Sequence, residues 1–145
     1  TLRRSSAASD VYKRQANWKR ANDGNASSSS KLLWRGLMPI YGESIIGEDC
    51  FIDSDALIGY PHAKELEKDS KEIAGCKIGK GSIIRPGSVY STAELGDNTR
   101  TGHNFLVREN TVIGDGCLIG TNVVVDNDCK IGNYCSFQTG AYIPT

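Results

Sequence analysis

The sequence predicts an all-β fold in which short parallel strands wind into a solenoid, a parallel β-helix. The main observation is a six-residue repeat from Leu95 to Thr145, in which a large apolar residue returns at every sixth position except at Thr101. These apolar positions are Leu95, Val107, Ile113, Ile119, Val125, Ile131, Phe137 and Ile143. Glycine often follows the apolar residue, and the fifth place of each unit is usually small. A period of six fits neither a helix nor one long strand, so it indicates short strands broken by regular corners.

The N-terminal segment, residues 1–40, shows no such repeat. It contains the polar run Asn25 to Ser30 and little apolar surface to bury, so we expect it to be irregular or disordered. Its first fifteen residues, TLRRSSAASDVYKRQ, resemble an adapter-derived, non-native leader and are left out of the fold prediction. The stretch KLLWRGLMPIY fits either a short helix or an extended lead-in. The predicted β-helix domain therefore spans residues 41–145.

The repeat begins at Ile46 and is interrupted by one charged segment. Residues 60–75 (YPHAKELEKDSKEIAG) lack the period and lie between two stretches that have it, so we predict a loop ejected from one corner. Between Ile84 and Leu95 the repeat slips by one residue. Either Val89 or Tyr90 must then point inward, and one corner is irregular.

Stacking of the coils predicts which side chains meet in the core. Three units close one coil of about eighteen residues, so residues eighteen apart should lie on top of one another. The expected inner columns are Leu95, Ile113, Ile131; Thr101, Ile119, Phe137; and Val107, Val125, Ile143. Phe105 occupies a place that is small in other units, and we expect it to supply the bulk that Thr101 lacks.

Composition narrows the class of protein. The 17 basic and 17 acidic residues give zero net charge, whereas proteins that bind nucleic acids usually carry an excess of positive charge. No apolar run approaches the length of a membrane span and no secretory signal is recognisable, so we predict a cytoplasmic protein. We interpret the five cysteines as small buried hydrophobes, because they form no Cys-x-x-Cys pair and each lies two residues before an apolar anchor. They are Cys50, Cys76, Cys117, Cys129 and Cys135.

The second half of the chain resembles a known family. The run RTGHNFLVRENTVIGDGCLIGTNVVVDNDCKIGNYCSFQTGAYIPT, with IIRPGSVYS before it, is similar to the hexapeptide-repeat acyltransferases, most of all to those that acetylate a nucleotide-linked amino sugar. The likeness covers roughly residues 45–145, and its most specific part is TGHNFLVRENTVIG, where a histidine follows a glycine on a corner. The resemblance implies a left-handed β-helix and a homotrimer, with acetyl-coenzyme A bound between neighbouring subunits. We expect no metal, because the chain has only two histidines.

His103 is the residue that this resemblance singles out as catalytic. An amine that attacks a thioester must lose a proton, and histidine, with an ordinary pKa of about 6.5, suits the role of proton acceptor. A backbone N–H or an amide side chain would hold the oxyanion, and the candidates for this and for contact with the coenzyme are Gly120 and Asn122. The alternative is that His103 is an ordinary surface or interface histidine.

Two asparagines and a glutamate complete the predicted centre. Asn104 and Asn122 are eighteen residues apart and should stack beside His103, either as a polar strip for the substrate or as a ladder that only hydrogen-bonds itself. Glu109 lies six residues after His103, on the next corner and up to about 20 Å away along an extended chain. We therefore expect any catalytic partnership of Glu109 with His103 to come from a neighbouring chain.

Charged residues supply the remaining candidates. Arg85 and Arg108 are candidates for binding the nucleotide diphosphate, since guanidinium groups pair bidentately with phosphate. The alternative for both is solvated surface charge. His62 lies in the charged loop, and we expect no chemical role for it.

Three functions fit these features. The first is acetyl-coenzyme A-dependent N-acetylation of an amino sugar linked to a nucleoside diphosphate. Because the repeat stops in mid-unit at Thr145, we expect missing C-terminal coils, and the chain is then either an active enzyme of this kind or an inactive fragment of one. A non-catalytic β-helix scaffold or appended domain is the second. The third is a γ-type carbonic anhydrase, whose zinc needs three histidine ligands. This chain has only His62 and His103, and they do not occupy equivalent positions of the repeat.

Overall fold

A computed structural model describes residues 40–145, and within them almost all regular structure consists of short parallel strands. The first six are β1 Ile45–Ile46, β2 Phe51–Ile52, β3 Leu57–Tyr60, β4 Lys77–Ile78, β5 Ile83–Ile84 and β6 Gly87–Tyr90. The next five are β7 Glu94–Leu95, β8 Arg100–Thr101, β9 Phe105–Val107, β10 Val112–Ile113 and β11 Leu118–Ile119. The last four are β12 Val124–Val125, β13 Lys130–Ile131, β14 Ser136–Phe137 and β15 Tyr142–Ile143. A single turn of 3₁₀ helix, Ala63–Glu65, is the only helix in this part of the chain.

Every third strand belongs to the same sheet, so the described chain is a three-sided parallel β-helix. The first sheet has the order β1-β4-β7-β10-β13, the second β2-β5-β8-β11-β14, and the third β3-β6-β9-β12-β15. The backbone turns a corner after almost every pair of strand residues, as the six-residue period predicts. The predicted fold class, a left-handed β-helix of hexapeptide repeats, is confirmed.

The core consists of inward-facing residues stacked in the predicted columns. Leu95, Ile113 and Ile131 are paired in register in the first sheet, and the columns through Ile119 and Val125 are paired likewise. Ile113, Ile119, Val107 and Val125 are 1% exposed or less. Burial of this aliphatic stack contributes roughly 25 cal/mol for each Å² removed from water, and it is the main favourable term for the fold.

The slip in the repeat is absorbed at one short corner. Val89 is fully buried and pairs with Val107, whereas Tyr90 is only half-buried, so Val89 is the residue that points inward. Five residues separate Ile84 from Val89 where six separate Thr101 from Val107. The corner between β5 and β6 is therefore one residue shorter than the corner below it.

Phe105 points into the core, as expected for a residue that supplies the bulk that Thr101 lacks. Both residues are buried, and Phe105 pairs in register with Gly87. A Cβ atom at Gly87 would collide with the Phe105 ring, so the glycine is required by the ring rather than by its own backbone angles.

The corners use left-handed backbone, which asparagine, aspartate and glycine tolerate best. Most non-glycine residues with positive φ are of these types, for example Asn104, Asn110 and Asp128. Thr92, with φ 68°, and Tyr134, with φ 56°, are the exceptions. Thr92 is β-branched, and its hydroxyl accepts the Asn110 N–H at 3.0 Å and donates to Asn110 Oδ1 at 2.8 Å.

The interruption of the repeat is a loop between β3 and β4, as predicted. Although the loop is rich in charged residues, part of it is buried. Ile73 and Glu65 are buried, and the Ile73 carbonyl accepts the Glu43 N–H at 3.1 Å. The loop therefore packs back on the first coil instead of standing away from it. The predictions for residues 1–39 and for most of KLLWRGLMPIY lie outside the described residues, and the domain boundary near residue 40 stays a prediction.

The cysteines behave as the spacing indicates. Four are buried, Cys135 is half-buried, and all five are free thiols. Burial raises the pKa of the Cys76 thiol to about 11, so this group stays protonated near neutral pH. No helix among the described residues is long and apolar enough to cross a membrane.

Candidate active site on the corner between the second and third sheets

His103 lies on the corner that joins β8 to β9, and its side chain is exposed. The peptide that carries it is fixed by the coil below. The His103 N–H donates to Thr121 Oγ1 at 3.3 Å, and the His103 carbonyl accepts the Asn122 N–H at 2.9 Å. The imidazole itself has no hydrogen bond or ion pair with any of residues 40–145. The backbone of His103 is therefore held in place while its ring is free to contact a ligand.

Asn104 and Asn122 stack beside this histidine as predicted. Both have left-handed backbone, with φ 55° and 56°, and Asn104 Nδ2 donates to Asn122 Oδ1 at 2.7 Å. This contact uses one donor of Asn104 and one acceptor of Asn122. The Asn104 Oδ1 acceptor and the Asn122 Nδ2 donor remain exposed next to His103, so the pair can form a ladder and still contact a ligand.

The geometry corrects the expectation for Gly120. Its N–H donates to the Phe137 carbonyl at 3.0 Å, which is a bond of the second sheet, so this N–H is not available to an oxyanion. The backbone N–H of Asn122 is also used, by His103. Of the two predicted groups, only the Asn122 side-chain amide remains free to stabilise negative charge.

Glu109 lies on a different corner, between β9 and β10, and does not contact His103 within the chain. Its carboxylate pairs with Arg108, through Oε1 to Nη2 at 2.9 Å and Oε2 to Nε at 3.2 Å. The structure thus agrees with the expectation that one chain does not bring His103 and Glu109 together. A partnership across chains stays a prediction.

Arg108 is held in a network of opposite charges on the third sheet. Besides Glu109, its Nη1 donates to Asp126 Oδ1 at 2.7 Å, and the Tyr142 hydroxyl donates to Asp126 Oδ2 at 2.8 Å. The hydrogen bond from Tyr142 and then that from Arg108 lower the Asp126 pKa. Hydrogen bonds to Glu109 and Asp126 raise the Arg108 pKa further above its usual range, and the bond to Asp126 raises that of Tyr142. With two carboxylates bound, Arg108 is poorly placed to bind a phosphate.

Arg85 is exposed at the short corner above His103. Its backbone N–H donates to Thr101 Oγ1 at 2.8 Å, and its Nη1 donates to the Thr101 carbonyl at 2.6 Å. One side of the guanidinium is therefore anchored, while Nε and Nη2 remain free for an anionic ligand.

Sequence reasoning missed two threonines that hold these groups. Thr121 lies eighteen residues after His103, so the stacking rule that pairs Asn104 with Asn122 would also have found it. Thr101 breaks the apolar series, and its hydroxyl accepts the backbone N–H of Arg85 while its backbone carbonyl accepts the guanidinium.

His62 lies away from this corner, in the loop after β3. Its Nε2 is 3.5 Å from Glu65 Oε2, an oxygen that is buried and has no hydrogen-bond partner. The described residues contain no cluster of three histidine, cysteine, aspartate or glutamate side chains that could hold a metal ion.

The repeat matches a known family. The model of the bacterial transferase hexapeptide family (six repeats) matches residues 110–145, which contain β10 to β15. Together with the three-sided coil, this match fits a hexapeptide-repeat β-helix over the described residues. Comparison with curated proteins and with solved structures gave no significant match.

Proposed function

We propose that this protein is an N-acyltransferase that moves an acetyl group from acetyl-coenzyme A to the amino group of a sugar linked to a nucleoside diphosphate. The transferase hexapeptide match supports the general class. The observation that carries the proposal is the exposed, unengaged imidazole of His103 on a corner whose backbone is fixed by Thr121 and Asn122. The choice of substrate rests on the resemblance of TGHNFLVRENTVIG to amino-sugar acetyltransferases.

Each group on this corner has a definite task in such a reaction. The amine attacks the thioester carbon and loses a proton, which the His103 imidazole accepts. The Asn122 side-chain amide donates to the oxyanion that forms on the carbonyl oxygen. His103 then returns the proton to the departing sulfur, so that the amide product and a free thiol result and the histidine is neutral again.

The proposal includes a homotrimer with the acetyl donor bound between subunits. Within the chain His103 lacks a carboxylate partner among the described residues, and Glu109 lies on another edge of the prism. In the proposed trimer, Glu109 of a neighbouring chain approaches His103 and orients its ring. A cytoplasmic location would suit a substrate of this kind and the free cysteines.

The test is the release of coenzyme A, measured by a thiol reagent. Purified protein is supplied with acetyl-coenzyme A and either 3-amino or 4-amino sugar nucleotides, and the matching hydroxyl sugar nucleotides serve as controls. We expect thiol release only with an amino acceptor, together with a product heavier by one acetyl group. Absence of turnover with every amino acceptor would contradict the proposal and favour a non-catalytic β-helix scaffold.

A further inference from the structure

Two exposed arginines belong to neighbouring coils of the second sheet: Arg100 lies in β8, and Arg85 directly follows β5. Arg100 in β8 pairs in register with Ile83 in β5. The next residues along these strands, Thr101 and Ile84, are fully buried and point inward. Side chains alternate along a strand, so Arg100 points outward, and the same alternation turns Arg85, the first residue after β5, outward and diagonal to Arg100. Diagonal neighbours are about 7–8 Å apart between Cα atoms, a distance that two long side chains easily close around one ligand.

Neither arginine is neutralised within the described chain. Among residues 40–145, no carboxylate oxygen lies within 4.0 Å of Arg85 or Arg100, whereas Arg108 has two such partners. Asp53 is the acidic residue stacked next to Arg85 in the coil above, and its Oδ1 instead accepts the Asp55 N–H at 2.9 Å. The face therefore carries two unpaired positive charges, of which Arg85 is already anchored by Thr101.

The surroundings of Arg100 are apolar. Ile83 precedes it in the outer column of the second sheet, Leu118 follows it, and Phe51 lies one coil further up. Leu118 is 43% exposed, and Phe51 and Ile83 are half-buried. Apolar neighbours lower the local dielectric constant and strengthen attraction to an anion. They also offer a surface for the flat, weakly polar part of a ligand.

We propose that Arg85 and Arg100 form a clamp for the diphosphate of a nucleotide-linked ligand, with the nucleoside lying along Phe51 and Ile83. Arg108, the other candidate from the sequence, takes no part. The identification of this ligand as the acetyl acceptor rests on the proposed function, but the anion site rests on the placement of the two arginines. The clamp lies beside the His103 corner, because only Gly102 separates Thr101 from His103.

The experiment measures binding without turnover. Isothermal titration calorimetry with uridine diphosphate and with inorganic pyrophosphate is performed on the wild type, Arg85→Gln, Arg100→Gln and Arg108→Gln. Loss of one charge-assisted contact should weaken binding of both probes by about tenfold in the first two variants. Arg108→Gln is the matched control and should change binding less than twofold. Uridine diphosphate should bind more tightly than pyrophosphate, since only it can contact the apolar column.

The outcomes separate this site from the proposed reaction. Equal binding by wild type, Arg85→Gln and Arg100→Gln would overturn the clamp, as would a loss of binding confined to Arg108→Gln. If the two arginine variants lose binding but no amino sugar is acetylated, the clamp stands and the proposed reaction fails. If acetylation proceeds with unchanged KM in both variants, the reaction stands and the identification of the clamped ligand as the acetyl acceptor is overturned.

Discussion

At the scale of single residues, Thr92 is the β-branched residue among the described corners that has left-handed backbone. A left-handed conformation costs a non-glycine residue roughly 1–2 kcal/mol, and a β-branched side chain suits it least. Other corners place asparagine in this conformation, and the Asn104–Asn122 contact shows that two stacked asparagines can hydrogen-bond. We predict that Thr92→Asn raises the free energy of unfolding by about 1 kcal/mol, as measured by urea denaturation.

The control for this prediction is Thr92→Ala. Alanine keeps the strained backbone and removes the hydroxyl that contacts Asn110 through two hydrogen bonds. Its free energy of unfolding should fall below that of the wild type. A Thr92→Asn variant no more stable than Thr92→Ala would show that the hydroxyl contacts, and not the strain, decide stability at this corner.

At the scale of elements, β6 and β9 pack closely where Gly87 faces Phe105. A methyl group at Gly87 would meet both the ring and the carbonyl oxygen of Phe105, neither of which has room to move in a packed interior. We predict that Gly87→Ala lowers the free energy of unfolding by about 1–3 kcal/mol, as measured by thermal and urea denaturation.

Gly132→Ala provides a matched control, because a Cβ atom there would have no neighbour within 4 Å. Its stability should change by less than about 0.5 kcal/mol. The double variant Gly87→Ala with Phe105→Val tests the cause, since a smaller side chain at position 105 should recover part of the loss. If the two substitutions at positions 87 and 105 are simply additive, the proposed collision is not the reason.

The third sheet is also tied together by Arg108, Asp126 and Tyr142, which follow or belong to β9, β12 and β15. Because the Asp126 pKa is lowered in the folded chain, this carboxylate stabilises the fold above its usual pKa of about 4, and the contribution disappears as the pH falls through the lowered value. We predict that the urea midpoint falls more steeply on acidification in the wild type than in Asp126→Asn, measured between about pH 6 and pH 2.5.

Tyr142→Phe is the control variant. It removes the hydrogen bond that contributes most to the lowered Asp126 pKa, so its acid dependence should lie between those of the wild type and Asp126→Asn. Parallel curves for all three proteins would contradict the assignment of the shift to this network.

The elements of the described part could be predicted from the sequence because a six-residue period leaves few alternatives. The columns through Ile113, Ile119 and Val125 follow from that period alone. The slip near Ile84 was visible, but its resolution in favour of Val89 depends on pairing with Val107 in the next coil. The packing of the charged loop was not predictable, because its composition does not show which side chains are buried: Ile73 and Glu65 are buried, whereas Leu66 is 59% exposed.

The site was predictable only where it follows the eighteen-residue stacking rule. That rule placed Asn104 on Asn122. The spacing of residues does not show which backbone N–H groups form hydrogen bonds within a sheet. The N–H of Gly120 was therefore wrongly expected to be available to an oxyanion. Spacing also does not show that Arg85 is available to bind an anion and that Arg108 is not. The difference arises from Glu109 and Asp126, which satisfy Arg108 and not Arg85.

At the scale of the whole molecule, the proposed trimer has a direct consequence. The mass in solution should be three times the 15.7 kDa of one chain, as measured by size-exclusion chromatography with light scattering. If Glu109 acts across the subunit seam, Glu109→Gln should lower the turnover number and leave the mass unchanged. A monomeric protein with full acetyltransferase activity would contradict the shared site.

The central claim is that the β-helix displays His103 on a fixed corner as the proton acceptor of acyl transfer. Its most direct test is the turnover number of His103→Asn at saturating acetyl-coenzyme A and amino-sugar nucleotide, compared with the wild type. We predict a loss of about 10²- to 10⁴-fold with an unchanged midpoint of unfolding. A His103→Asn variant that retains wild-type turnover would show that the corner has no chemical role.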